Sequence, residues 1–284
     1  MRLEKYMQSP VIAAETTSTL EHVRNLMIKN DISRVVVLEN GKPVGIVTRK
    51  DMARRLGEGR APWRRRPIDR VACSRVMTRG LVTLPPDAGV KEAARIMVEK
   101  GISSIPVVKD DSLVGIVTTT DLLRAYVENM EGIFKTSEIM TRDVITANRN
   151  HTIAHLVELM VENGISRVII TDGTRPVGIV TATDLSLLEL EDPVLGIKAR
   201  RVLFVRKPEQ ASRPRYRYIR TLPFVTAGDV MSSGLITAGE DEDSAAAAKR
   251  MLDNRISSLP VVNEAFELRG IVTKRDILKA MVER

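Results

Sequence analysis

The chain has 284 residues, 43% apolar and 28% charged, a balance that supports a buried core and excludes a disordered chain. The lone Cys73 excludes an internal disulfide, three histidines leave no Cys/His cluster for structural zinc, and no apolar run approaches the ~18 residues that span a bilayer. The net charge of +8 is concentrated in two stretches: seven Arg face two acids between Met52 and Cys73, and nine Lys/Arg face three acids between Glu191 and Ala227.

In chain order, Met7 opens a unit that runs through Ile32-Ser33-Arg34 and closes on Gly45-Ile46-Val47-Thr48-Arg49-Lys50-Asp51. The same marks return at Met77, Ser103 and Gly115 to Asp121, at Met140, Ser166 and Gly178 to Asp184, and at Met231, Ser257 and Gly270 to Asp276. Methionine and serine are 26 residues apart in every copy, and serine to aspartate spans 18, 18, 18 and 19 residues. A register held four times identifies an internal repeat.

The second copy shows the local pattern best. A strand is expected from Leu81 to Leu84, with Pro85-Pro86-Asp87 as the turn that follows. A helix is expected from Gly89 to Lys100, with Val90, Ala93, Ala94, Met97 and Val98 on one face and Gly101 ending it. Two strands follow, Ser104 to Lys109 and Leu113 to Thr118, joined by Asp110-Asp111-Ser112, and a second helix begins after Thr118. The fold class is therefore α/β (α+β), with four β-α-β-β-α repeats, each so small that the copies must share cores.

Copies one and three read Ile-Ser-Arg, whereas copies two and four read Ile102-Ser103-Ser104-Ile105-Pro106 and Ile256-Ser257-Ser258-Leu259-Pro260. That alternation makes a pair of copies the duplicated object. The expected segments are repeat 1 at 1–57, a basic insert at 58–72, repeat 2 at 73–130, repeat 3 at 131–190, a basic insert at 191–227 and repeat 4 at 228–284. Within the second insert, Arg201 to Arg206 and Arg215 to Arg220 alternate as a β-hairpin would, with one basic, aromatic face.

The pattern resembles the CBS domain family, whose tandem pairs are called Bateman modules, and the likeness covers nearly the whole chain outside the inserts. With two pairs it is also similar to the gamma subunit of AMP-activated kinase and to archaeal stand-alone CBS proteins. The resemblance implies copies that pair through three-stranded sheets, leaving clefts for an adenine nucleotide, AMP, ADP or ATP, with S-adenosylmethionine ranked behind them. It implies a non-catalytic sensor read by a regulated protein partner; the start, Met1-Arg2-Leu3-Glu4-Lys5, lacks the apolar core of a signal peptide, so a cytoplasmic location is expected, and the basic hairpin is expected to serve a partner or self-association. A nucleic-acid-binding or partner-docking protein acting through the basic inserts is the alternative, and no membrane partner is expected. No nucleophile–base pair, metal set or phosphate-cradling glycine loop points to an enzyme.

The candidate ligand residues follow from chemistry and resemblance together. Asp51, Asp121, Asp184 and Asp276, each three residues after Thr48, Thr118, Thr181 or Thr273, stand where a carboxylate could accept the hydroxyls of a ribose diol. Thr-x-x-Asp is equally the pattern of a helix capping box, and one aspartate can serve both roles. Arg34 and Arg167, after the serine, and Lys50 and Arg275, before the aspartate, match positions that contact phosphate in the kinase subunit; read alone, they are solvated charges. Ile12, Val82, Ile145 and Ile236 on the first strands could form an apolar slot for adenine, closed by Ile105 and Leu259, or serve as ordinary core. Met27, Met97, Met160 and Met251 read as core, His151 and His155 lack further metal partners, and Cys73 reads as a spectator.

Overall fold

The repeated register folds into a helix followed by a β-hairpin in every copy, and the computed structural model describes residues 1–49, 51, 52, 68–187, 189–191, 198–200 and 225–283. Repeat 1 contains β1 (Ala13–Glu15), α1 (Leu20–Lys29), β2 (Arg34–Glu39) and β3 (Lys42–Thr48). Repeat 2 contains β4 (Thr78–Arg79), α2 (Val90–Lys100), β5 (Ser104–Lys109), β6 (Ser112–Thr118) and α3 (Thr119–Asn129). In repeat 3, α4 (Thr136–Ile139) and β7 (Thr146–Ala147) precede α5 (Ile153–Glu162), β8 (Arg167–Asp172), β9 (Arg175–Thr181) and α6 (Ala182–Leu187). A short antiparallel pair, β10 (Glu189–Glu191) with β11 (Lys198–Arg200), follows. Repeat 4 comprises α7 (Ala227–Val230), β12 (Ala238–Gly239), α8 (Ser244–Asp253), β13 (Ser258–Val262), β14 (Leu268–Thr273) and α9 (Lys274–Glu283). The hairpin expected between Arg201 and Arg220, and most of the first insert, lie outside the described residues.

The strand expected at Leu81 to Leu84 is reduced to one parallel bridge, Leu84 to Val107. Pro85 and Pro86 carry no amide hydrogen, so the ladder cannot extend past Leu84. The helix and hairpin of that repeat form where the pattern places them, and Gly101 ends α2 with φ 63°, the left-handed conformation that glycine adopts without strain. In the fourth hairpin the extra residue enlarges the loop between Val262 and Leu268, which the Asn263 carboxamide closes by accepting from Glu267 N–H at 2.9 Å.

The chain divides into two units, Met1–Phe134 with Ser244–Arg255 and Lys274–Arg284, and Lys135–Asp243 with Ile256–Thr273. Repeat 4 is thus split, its sheet and α7 falling in the second unit and α8 and α9 in the first. In the first unit α8 and α9 pack with α2 and α3. Leu122, Leu123, Tyr126, Ala247, Ala248, Met251, Ile277 and Leu278 are buried there, and Tyr126 Oη shares a 2.8 Å hydrogen bond with Ser244 Oγ. Met27, Met97, Met160 and Met251 are all buried, as their helical spacing predicts.

Within each pair, the leading segment of one repeat crosses to the other. Thr78 adds to β3 opposite Ile46, and Gln8 bridges to Ile116 of β6. In the second unit Ser232 bridges to Ile179 and Thr141 to Ile271. Each crossing lays the opening methionine over the glycine of its partner's Gly-Ile-Val-Thr. A Cβ on Gly45, Gly115, Gly178 or Gly270 would lie 2.9, 2.9, 2.8 or 2.9 Å from Cγ of Met77, Met7, Met231 or Met140. Val71, Cys73, Val76 and Met77, from the leader of repeat 2, complete the core of repeat 1. Ala227, with Val225, Val230 and Met231 against it, does the same for repeat 3. No helix among the described residues is long and apolar enough to cross a membrane.

Gly115→Ala is expected to destabilise the chain by about 1–3 kcal/mol through overpacking against Met7. Met7→Ala in the same chain should recover part of that loss, a coupling that a double-mutant cycle in urea reads directly. Strictly additive losses would contradict the contact.

Candidate functional site

The hairpin brings the two conspicuous ends of the repeat together. In register, Arg34 faces Thr48, Ser104 faces Thr118, Arg167 faces Thr181 and Ser258 faces Thr273. The serine carbonyl then accepts from the residue after the threonine: Arg49 N–H to Ser33 O at 3.0 Å, Thr119 N–H to Ser103 O at 3.1 Å and Ala182 N–H to Ser166 O at 2.8 Å. The strand therefore ends at the threonine, whose side chain starts the next helix.

Capping accounts for part of the Thr-x-x-Asp pattern. Thr118 N–H and Oγ1–H donate to Asp121 Oδ2 at 2.9 and 2.7 Å, while Asp121 N–H donates to Thr118 Oγ1 at 3.4 Å. Thr48 and Asp51 repeat this at 3.0, 2.7 and 3.2 Å. Thr181 and Asp184 do so at 2.8, 2.8 and 3.3 Å. In all three boxes the cap uses Oδ2, so the roles of the aspartates diverge at Oδ1.

Asp121, only 2% exposed, receives Gln8 Nε2 at 2.8 Å and Arg124 Nη1 at 2.7 Å on its Oδ1. Asp276 is 5% exposed, with Lys279 Nζ at 3.5 Å. Asp51 and Asp184 are only half-buried, and among the described residues none donates to Asp184 Oδ1. Neither Gln8 nor Arg124 is apparent as a site residue from the repeat motif. Comparing the residues that follow the four opening methionines, Gln8, Thr78, Thr141 and Ser232, is the signal that singles Gln8 out.

The cations divide in the same way. Arg34 Nη1 donates to the Ser103 carbonyl at 2.6 Å and Nη2 to Ser33 Oγ at 3.0 Å, so the side chain spans the Ile-Ser elements of both copies. Burial pushes its guanidinium pKa below the ordinary value, and the charge of Asp121 works the other way. Arg167 spans the second pair similarly, to Ser257 Oγ at 3.1 Å and Ser166 Oγ at 3.5 Å. Arg275 instead donates to the Val98 carbonyl at 2.9 Å, tying α9 to α2. Lys50 lies outside the described residues.

Ile12, Val82, Ile145 and Ile236 are half-buried and retain surface that a planar apolar group could cover. Ile105 and Leu259 are 0% exposed, part of the core, and offer no surface to a bound base in this conformation. The His151 and His155 rings stack edge to face at 4.5 Å, and among the described residues no group of three or more His, Cys, Asp or Glu could hold a metal ion. Cys73 is buried with its Sγ–H toward the Glu15 carbonyl at 3.1 Å, and burial raises its pKa, which disfavours the reactive thiolate.

The family model for the CBS domain matches residues 3–58, 73–128, 137–190 and 227–283. The chain belongs to the CBS domain family. Its four CBS repeats form two Bateman modules, within which the leaders are exchanged. The uncharacterized protein MJ1225 of Methanocaldococcus jannaschii is 26% identical over 98% of each chain. Its crystal structure, described as that of a candidate archaeal homologue of g-AMPK, gives a TM-score of 0.72 with 99% of each chain covered. An uncharacterized conserved protein from Pyrococcus horikoshii, 19% identical with a TM-score of 0.69 over 99% of this chain and all of its own, shares the fold. MJ1404, also from M. jannaschii, is 32% identical over 69% of this chain, which is 44% of its own length.

The unequal carboxylates predict unequal stability costs. Asp121→Ala should cost about 0.5–1.5 kcal/mol more than Asp184→Ala, because both variants open the cap but only the first also loses the hydrogen bond from Gln8, the half-exposed Arg124 pairing adding little. Urea midpoints of the two variants measure this, and equal losses would contradict the hydrogen-bond assignment.

Proposed function

We propose that this CBS protein is a non-catalytic regulatory module that binds an adenine nucleotide, AMP, ADP or ATP, in the clefts of its repeat pairs. The observation that carries the reading is the strand register that sets a half-buried arginine, Arg34 or Arg167, opposite Thr48 or Thr181, the threonine that holds the helix-starting carboxylate of Asp51 or Asp184. A guanidinium is suited to a phosphate, and a carboxylate oxygen to the adjacent hydroxyls of a ribose. The capping threonines Thr48 and Thr181 hold each carboxylate by Oδ2, so binding a sugar need not uncap the helix. Ile12, Val82, Ile145 and Ile236, which lie just ahead of the first strands or bridge and not on strands as the sequence suggests, are half-buried and supply apolar surface for the adenine ring. MJ1225, described as a candidate homologue of g-AMPK, supports a regulatory role through likeness over the whole chain.

In this reading the aspartates of repeats 1 and 3, Asp51 and Asp184, carry the ligand, and Asp121 and Asp276 act mainly in folding. Arg275, held on the Val98 carbonyl, is a helix-packing residue rather than a phosphate contact. Nucleotide binding regulates a partner, or self-association, only through different affinities for two states of a pair. The alternative, a nucleic acid bound through the basic inserts, rests on their charge alone.

Titration calorimetry of the full chain with AMP, ADP and ATP tests the proposal. At least one should bind saturably. Asp184→Ala and Arg167→Ala should each weaken the second-pair site by roughly tenfold or more, the loss expected for a charge-assisted hydrogen bond. No heat from any of the three at millimolar concentration, or binding indifferent to both substitutions and to Asp51→Ala, would overturn it.

A further inference from the structure

We propose that Gln8 is a built-in lock that closes the Asp121 cleft, leaving the four repeats with unequal capacity for ligand; this rests on reading the clefts as nucleotide sites. Gln8 belongs to the leader of repeat 1, yet its backbone is clamped to repeat 2. Gln8 N–H donates to Ile116 O at 2.8 Å and Ile116 N–H to Gln8 O at 3.0 Å. That clamp aims the carboxamide at the helix start five residues beyond Ile116, where Nε2 donates to Asp121 Oδ1.

A carboxylate offers about four acceptor positions. On Asp121 two donors fall on each oxygen: Thr118 N–H and Oγ1–H on Oδ2, and Gln8 and Arg124 on Oδ1. A sugar hydroxyl can enter only by displacing one of them. The Arg124 side chain is 51% exposed and three residues away on the same helix, a pairing that water screens and that yields readily. Gln8 arrives from the other copy on a backbone held by two hydrogen bonds, and it covers the carboxylate from outside.

The other leaders carry no such reach. Thr78 faces Ile46 and Ser232 bridges to Ile179, the places that match Gln8 against Ile116, and neither hydroxyl bonds the aspartate of the repeat it crosses. With a side chain two atoms shorter at position 232, Asp184 Oδ1 receives no donor among the described residues. The lock is therefore a property of one side chain and separable from the fold. Opening it would also require the leader's side chain to swing away, so a ligand that forces the cleft open would act on the segment carrying Met7 over Gly115.

Two measurements on the full chain separate this lock from the nucleotide reading beneath it. Carbodiimide labelling of carboxylates with glycine ethyl ester, read by peptide mass spectrometry, should modify Asp121 at least tenfold more slowly than Asp184. Gln8→Ser, which installs the side chain found at the matching position of repeat 4, should bring Asp121 to within a few-fold of Asp184, whereas Arg124→Ala should leave it protected. In calorimetry with AMP, Gln8→Ser should bind a further equivalent that disappears in Gln8→Ser/Asp121→Ala. Asp121 that labels like Asp184 in the natural chain, stays protected in Gln8→Ser, or already contributes an AMP site would overturn the lock. The expected labelling with no AMP bound by any variant upholds the closure of Asp121 and removes the nucleotide assignment instead.

Discussion

The structure depends on a missing Cβ. At Gly45, Gly115, Gly178 and Gly270 the opening methionine of the paired repeat occupies the space any other residue would fill. Because the methionine comes from the other copy, the contact joins two repeats rather than folding one. It does so reciprocally, Met7 on Gly115 and Met77 on Gly45, then Met231 on Gly178 and Met140 on Gly270. A unit of this size buries too little to stand alone. The exchange supplies the deficit: Val71, Val76 and Met77 finish a core they do not belong to by sequence, and Ala227 does the same in the second pair.

The exchange also dictates the chemistry at the hairpin ends. The backbone bridge that seats each methionine falls one residue later, opposite the isoleucine of Gly-Ile-Val-Thr, five residues from the aspartate. Whatever side chain follows the methionine is therefore delivered toward the other copy's helix start. Pairing and site composition are linked: the glutamine at position 8 reaches the Asp121 carboxylate, and the serine at position 232 does not reach Asp184. The arginines work across the same junction, Arg34 to the Ser103 carbonyl and Arg167 to Ser257. At these hairpin ends each arginine reaches both copies, and the facing copies carry Ser104 and Ser258 where an arginine would stand.

Much of this is legible in the amino-acid order. The constant interval between Ser33 and Asp51, and its counterparts, is a hairpin whose two ends must meet, and the one-residue excess in the fourth copy is taken up in the Asn263–Glu267 loop. Thr-x-x-Asp is readable as a cap because capping is local. What escapes the sequence is set by distant partners. Nothing local marks Ile105 and Leu259 as sealed in the core, since a residue before proline on a central strand looks the same whether or not a slot opens beside it. The surroundings that set Asp121 apart from Asp184 include Gln8, 113 positions from the residue it contacts. The association of α8 and α9 with α2 and α3 is likewise invisible to a pattern that treats each repeat alone.

A crystal structure of the full chain grown with AMP tests the nucleotide-cleft interpretation most directly. The ribose should lie on Oδ1 of Asp184, with its phosphate toward Arg167 and the threonine cap intact; an equivalent pose at Asp51 should point to Arg34, and Gln8 should still cover Asp121. AMP seated away from these hairpin ends, or gripping Asp121 with Gln8 unmoved, would contradict it.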